Sequence, residues 1–97
     1  MKAIRLAAEV LLARREHSHL ELRRKLNRRF PDDADRIDAE VNQLAVEGLQ
    51  SNARLAEAFI RSRVNRGQGP SKISLELKDR GVADEDIALA FQEAEVD

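Results

Sequence analysis

Apolar residues recur at helical spacing along almost the whole chain, and Gly, Pro and capping residues punctuate the pattern. The stretch over 3–15 carries Ile4, Leu6, Ala7, Val10, Leu11 and Leu12, apolar nearly all round, which predicts a first helix buried on more than one side. Ser18-His19-Leu20-Glu21 has the form of a capping box and starts a second helix. There Leu22, Leu26 and Phe30 make the buried stripe, with Arg24 and Arg28 on the opposite side and Lys25, Arg29 and Arg23 flanking it. Long basic stems beside a stripe can cover apolar surface while their charges reach water. Pro31 ends this helix. Asp32 or Asp33 is the expected cap of a third, whose stripe is Ile37, Val41, Leu44 and Ala45 and whose stop is Gly48.

From Gly48 to Ile73 the chain supplies its central piece. Ser51 or Asn52 starts a fourth helix in which Leu55, Ala56, Phe59, Ile60 and Val64 share one side, and Arg61, Arg63 and Arg66 crowd its C-terminal half. Gly67 stops it. Gly69-Pro70 opens a fifth, with Ile73 and Leu77 as stripe, Leu75 pointing away and Gly81 as stop. Asp84 is the expected cap of a sixth, with Ile87, Ala88, Ala90, Phe91 and Ala94 inward and Glu85, Asp86, Glu93 and Glu95 outward.

The two halves correspond. Leu6 pairs with Leu55 at an offset of 49, Leu22 and Leu26 with Ile73 and Leu77 at 51, and Ile37 and Val41 with Ile87 and Phe91 at 50. Chance agreement between leucine-rich helices is the alternative, but the charge pattern repeats with the same period. The predicted architecture is all-α: tandem three-helix repeats over 1–48 and 49–97, with the fourth helix as hinge between them. No sustained apolar alternation predicts a strand.

Charge sharpens the picture. The formal net charge of −1 hides a segregation: 14–29 holds seven basic and two acidic residues, 32–47 one and six, 61–80 six and two, and 84–97 none and six. A near-neutral total is therefore compatible with a locally positive surface that meets phosphates. At 97 residues the chain is one small domain or two very small ones, and with Phe30, Phe59 and Phe91 as its only aromatics the core must be built of Ala, Leu, Ile and Val. Without cysteine, neither disulfides nor thiolate metal sites arise. Lys2, Arg5 and Glu9 interrupt the apolar N-terminus, so neither a secretory segment nor a membrane span is expected, and the protein is placed in the cytoplasm.

Candidate chemistry is that of cations. Arg14, Arg15, Arg23, Arg24, Lys25, Arg28 and Arg29 form one basic set, and Arg61, Arg63, Arg66 and Lys72 a second. Clustered cations bind backbone phosphates through counterion release, with strong salt dependence and little sequence preference. Scarce aromatics leave base stacking unsupported, so single-strand binding would rest on charge. The alternative is a solvated face paired with the acidic third helix. Gly67-Gln68-Gly69-Pro70 either turns amides toward an anion or is simply a turn that needs glycine. It is no P-loop, since no Gly-Lys-Ser/Thr follows. His17 and His19 lack a third ligand at suitable spacing and an acidic orienter, so metal, cofactor and catalytic roles are not expected, and His17 reads as a helix-boundary residue near phosphate.

Four blocks in order resemble the RecX family, bacterial regulators of the RecA recombinase: L-L-A-R-R-E-H-S from Leu11, E-L-R-R-K-L from Glu21, E-G-L-Q-S-N-A-R-L-A-E-A-F-I-R-S-R from Glu47, and R-G-Q-G-P-S-K-I-S-L-E-L from Arg66. The resemblance covers nearly the whole chain. It implies tandem three-helix, helix-turn-helix-like repeats in an elongated curved molecule that occupies the groove of the RecA-DNA filament. It also implies binding to single- or double-stranded DNA and inhibition of strand exchange, ATP hydrolysis and the coprotease function. Family members usually carry a third repeat, so a two-repeat chain is expected to be a fragment or a short relative. A free-standing helix-turn-helix-type DNA-binding module and a helical adaptor whose charges only confer solubility are the competing readings.

Overall fold

The computed structural model describes residues 2–94, and among them every regular element is a helix. The elements are α1 (Lys2–Arg14), α2 (His19–Arg29), α3 (Ala34–Val46), α4 (Asn52–Asn65), α5 (Pro70–Asp79) and α6 (Asp84–Glu93). They form two compact units, Met1–Ser51 and Asn52–Asp97, each built of three helices.

Local signals account for most boundaries. Ser18 caps α2 as a full capping box: Glu21 N–H donates to Ser18 Oγ at 3.0 Å, and Ser18 N–H donates to Glu21 Oε1 at 3.0 Å. Gly69 and Pro70 stand at the N-cap and first turn of α5, where a missing N–H costs nothing. Three helices end by one device. Gly48, Gly67 and Gly81 take φ of 79°, 84° and 84°, a left-handed conformation that side chains disfavour. Each is followed by an amide that reaches back to a free carbonyl: Leu49 to Leu44, Gln68 to Arg63 and Val82 to Leu77, all at 3.0 Å.

Two caps differ from expectation. Asp33 occupies the N-cap of α3, but its side chain makes no capping hydrogen bond and faces Arg36 at 3.9 Å instead. Ala83, not Asp84, is the N-cap of α6; Asp84 is the first helical residue, and its carboxylate pairs with Lys78 Nζ at 3.1 Å. Acidic side chains in a first turn gain from the helix dipole without capping, so composition alone cannot separate the two roles.

In the first unit Ile4, Ala7 and Ala8 of α1 pack with Leu22 and Leu26 of α2 and Ile37, Val41 and Leu44 of α3. The expectation that α1 is buried on more than one side fails. Leu6 is 64% exposed, Val10 is also exposed, and only one stripe of α1 enters the core. Ala45, expected on the α3 stripe, is exposed as well. In the second unit Leu55, Ala56, Phe59 and Ile60 of α4 pack with Ile73 and Leu77 of α5 and Ile87 and Ala90 of α6. Val64, at 36%, and Ala88 lie outside that core.

The internal repeat is visible in burial. Leu22 and Leu26 correspond to Ile73 and Leu77, all buried, and Ile37 corresponds to Ile87. Leu6 does not match Leu55, because one faces solvent and the other the core. The buried set Ile4, Ala7, Ala8 aligns instead with Ala56, Phe59, Ile60. Glu95, expected to point outward, lies outside the described residues.

Candidate nucleic-acid interface

In the first unit the C-terminal halves of α1 and α2 bring four cations to one cleft. Its floor is Ala7, Val10, Leu11 and Leu26, and its rim is Arg14, Lys25, Arg28 and Arg29. Helical spacing explains the convergence: Leu26 is the core residue, so Lys25 and Arg29 sit together on its edge and Arg28 lies further round. Arg14 arrives from the last turn of α1. Arg14, Arg28 and Arg29 are exposed, and Lys25 is half-buried.

Crowding of like charge shows at Lys25. Burial, followed by the charges of Arg15, Arg28 and Arg14, pushes its ammonium below the ordinary lysine range, while Glu21 opposes them. A cation in such surroundings gains when an anion arrives, because a phosphate relieves repulsion that the free protein carries.

The other members of the basic sets are placed differently. Arg15 is turned toward the loop, where Nη1 donates to the Glu16 carbonyl at 2.7 Å and Nη2 to Glu21 Oε2 at 3.0 Å. Arg23 Nε lies 3.2 Å from Asp38 Oδ1 on α3, close enough for an ion pair though not aligned for a hydrogen bond. Arg24 is exposed one turn before Arg28. The reading of a basic face paired with the acidic third helix thus describes Arg23 and does not describe the cleft.

In the second unit Arg61, Arg66 and Lys72 are exposed. Arg63 is built into the fold. Its guanidinium lies 4.3 Å from the centroid of the Phe59 ring, Arg80 brings a second cation to 4.7 Å, and Arg63 Nε donates toward Glu76 Oε2 at 3.4 Å. The turn at 67–70 spends its first two amides on α4: Gly67 N–H donates to the Val64 carbonyl and Gln68 N–H to that of Arg63. Gln68 Oε1 is buried without a hydrogen-bond partner among the described residues. Between the two readings of this glycine-rich turn, the geometry favours helix termination.

His17 is buried, 1% exposed, so it cannot itself reach a phosphate. Its Nδ1 lies 3.0 Å from the Arg15 carbonyl and its Nε2 2.9 Å from Lys25 Nζ. Sequence reasoning places it at a helix boundary but misses this contact. Lys25 reaches back across a capping loop to make it, and no periodicity encodes that path. His19 Nε2 meets Asn42 Oδ1 at 2.8 Å. No group of three or more metal-ligating side chains gathers among the described residues, and no helix there is long and apolar enough to cross a membrane.

Successive three-helix units, all-α, with cations gathered along one cleft of the first, define a tandem helical-repeat protein. Residues 51–90 match the family profile described as RecX, second three-helix domain. The chain is 53% identical over 95 residues to regulatory protein RecX of Pseudomonas putida strain GB-1, covering 98% of this chain and 60% of that protein. It is 52% identical over 95 residues to a second Pseudomonas putida protein of that name, covering 98% and 66%. A Halorhodospira halophila protein, also named regulatory protein RecX, is 51% identical over 96 residues, covering 99% and 59%. The chain belongs to the RecX family, a family of regulatory proteins. It spans between about three-fifths and two-thirds of the length of these curated relatives.

Proposed function

We propose that this chain regulates the RecA recombinase by occupying the RecA-DNA filament, with inhibition of strand exchange, ATP hydrolysis and the coprotease function as the outcome. The observation that carries the reading is the cleft in which Arg14, Lys25, Arg28 and Arg29 converge, in a chain of the RecX family. Exposed Arg24, Arg61, Arg66 and Lys72 extend the set of phosphate contacts, and Arg15, Arg23 and Arg63 support the fold around them. The two three-helix halves act as binding modules and perform no chemistry of their own. Their site of action is the cytoplasm, on filaments of single- or double-stranded DNA. Because a ligand shifts an assembly only through differential affinity, the chain must favour one filament state over another.

The test is ATP hydrolysis by the recombinase on single-stranded DNA, with and without the chain, beside its binding to bare DNA across salt. Inhibition at concentrations where bare DNA remains unbound supports filament occupation. Binding to bare DNA without inhibition would replace this reading with that of a free-standing DNA-binding module.

A further inference from the structure

The contact between His17 and Lys25 has a direction. An ammonium has only N–H groups to give, so His17 Nε2 must accept, and the ring proton must then sit on Nδ1, where it donates to the Arg15 carbonyl. The imidazole in this arrangement is neutral. Its position is fixed from behind: buried Gln50 donates Nε2–H to the His17 carbonyl at 3.2 Å. The loop around it is fixed too, through the Ser18–Glu21 capping box and the hold of Glu21 and the Glu16 carbonyl on Arg15. Lys25 uses one N–H on the ring and has two left for the cleft it lines.

We propose that His17 is a positioning residue of the cationic cleft: its neutral ring holds the Lys25 ammonium on the cleft rim, aimed for a phosphate. This rests on the phosphate reading given above and adds a residue that touches no ligand. The charged groups that bear on the ring are Arg15 from the loop after α1 and Lys25 and Glu21 from α2, with Arg14 and Arg28 bearing on Lys25 in turn. Burial first, then the charges of Arg15 and Lys25, lower the affinity of His17 for a proton, against the pull of the Arg15 carbonyl and Glu21. A held side chain loses less rotamer freedom on binding than a free lysine does, which is the physical gain from such an arrangement.

Two measurements on the whole chain test this. The first is affinity for a short labelled oligothymidylate by fluorescence anisotropy, in a cycle of His17→Leu, Lys25→Ala and both. Expected are a several-fold loss for each single variant, no further loss in the double variant, and recovery of most of the affinity in His17→Gln, which keeps an acceptor near the place of Nε2. An unchanged affinity in His17→Leu, or an equal loss from it in the Lys25→Ala background, overturns the proposal.

The second is made without DNA and covers the case in which His17→Leu fails to fold. NMR of the ring in wild type should show the Nδ1–H tautomer, and Lys25→Met should raise the His17 pKa as a neighbouring cation leaves. An Nε2–H tautomer or an unmoved pKa overturns the positioning role. If that coupling is present and the wild-type chain nevertheless binds no oligonucleotide, the phosphate reading fails and takes with it the use assigned to Lys25.

Discussion

Arg5 and Glu47 join the start of α1 to the end of α3 by a two-pronged ion pair, Nη1 donating to Oε2 at 2.9 Å and Nη2 to Oε1 at 2.5 Å. Fork-to-fork geometry makes this stronger than a single contact. Gln43 Nε2 adds a third hydrogen bond to Glu47 at 2.9 Å. The Arg5 hydrogen bond, then that of Gln43, holds the Glu47 carboxyl at about 2, against an ordinary value of 4.5. A depressed carboxylate contributes stability that is complete above its unfolded pKa and fades as pH falls through the folded one. Glu47→Gln should therefore lower the melting temperature at pH 7, and the difference from wild type should close as pH falls from about 4.5 toward 2. A gap that stays constant over that range would show that the pair is not ionic in effect.

His17 gives the rise of stability with pH a second source, in a higher window. Its folded proton affinity is lowered, so its contribution to stability is complete above the unfolded histidine pKa and is lost as pH falls below it. Melting temperatures of wild type should decline between about pH 7 and 5, and His17→Gln should decline less. Parallel curves for the two proteins would contradict the buried neutral ring.

Leu26 and Leu75 test the assignment of stripes. Leu26 is 1% exposed and Leu75 61%. Truncation of a buried leucine leaves a cavity, so Leu26→Ala should cost about 2–5 kcal/mol by denaturant unfolding, with Leu75→Ala within about 0.5 kcal/mol of wild type. Comparable losses at both positions would mean that Leu75 packs against something in solution.

Gly67 separates two uses of the glycine-rich turn. A Cβ there meets no atom within 4 Å, so the cost of Gly67→Ala comes from its φ of +84° alone. About 1 kcal/mol of stability should be lost with no change in affinity for DNA beyond it. A loss of affinity at unchanged stability would restore the turn as an anion site.

How much of this could be read from residues varies by element. The capping box, the three glycine stops and the stripe of α2 were legible because each is a local signal, and the α3 stripe was legible except at Ala45, which is exposed. The faces of α1 were not. Its apolar residues run nearly all round, and only the packing of Ile4, Ala7 and Ala8 decides that Leu6 and Val10 are left outside. The basic sets were legible as composition, but their sorting was not. Arg63 on Phe59, Arg23 beside Asp38 and Arg15 on Glu21 look the same in sequence as Arg14 and Arg28, which line the cleft instead. Family membership was carried by blocks of sequence, which need no tertiary information.

Salt dependence of DNA binding by Arg14→Ala/Arg28→Ala is the most direct check on the cationic cleft, since each neutralised phosphate contributes about 0.7 to the slope of log K against log salt on single strands. Both arginines line the cleft and neither is buried, so helicity and melting should stay near wild type. The cleft reading predicts weaker binding and a slope made shallower by about 0.7 for each phosphate that the variant no longer neutralises. An unchanged slope in a folded double variant would show that phosphates are met elsewhere.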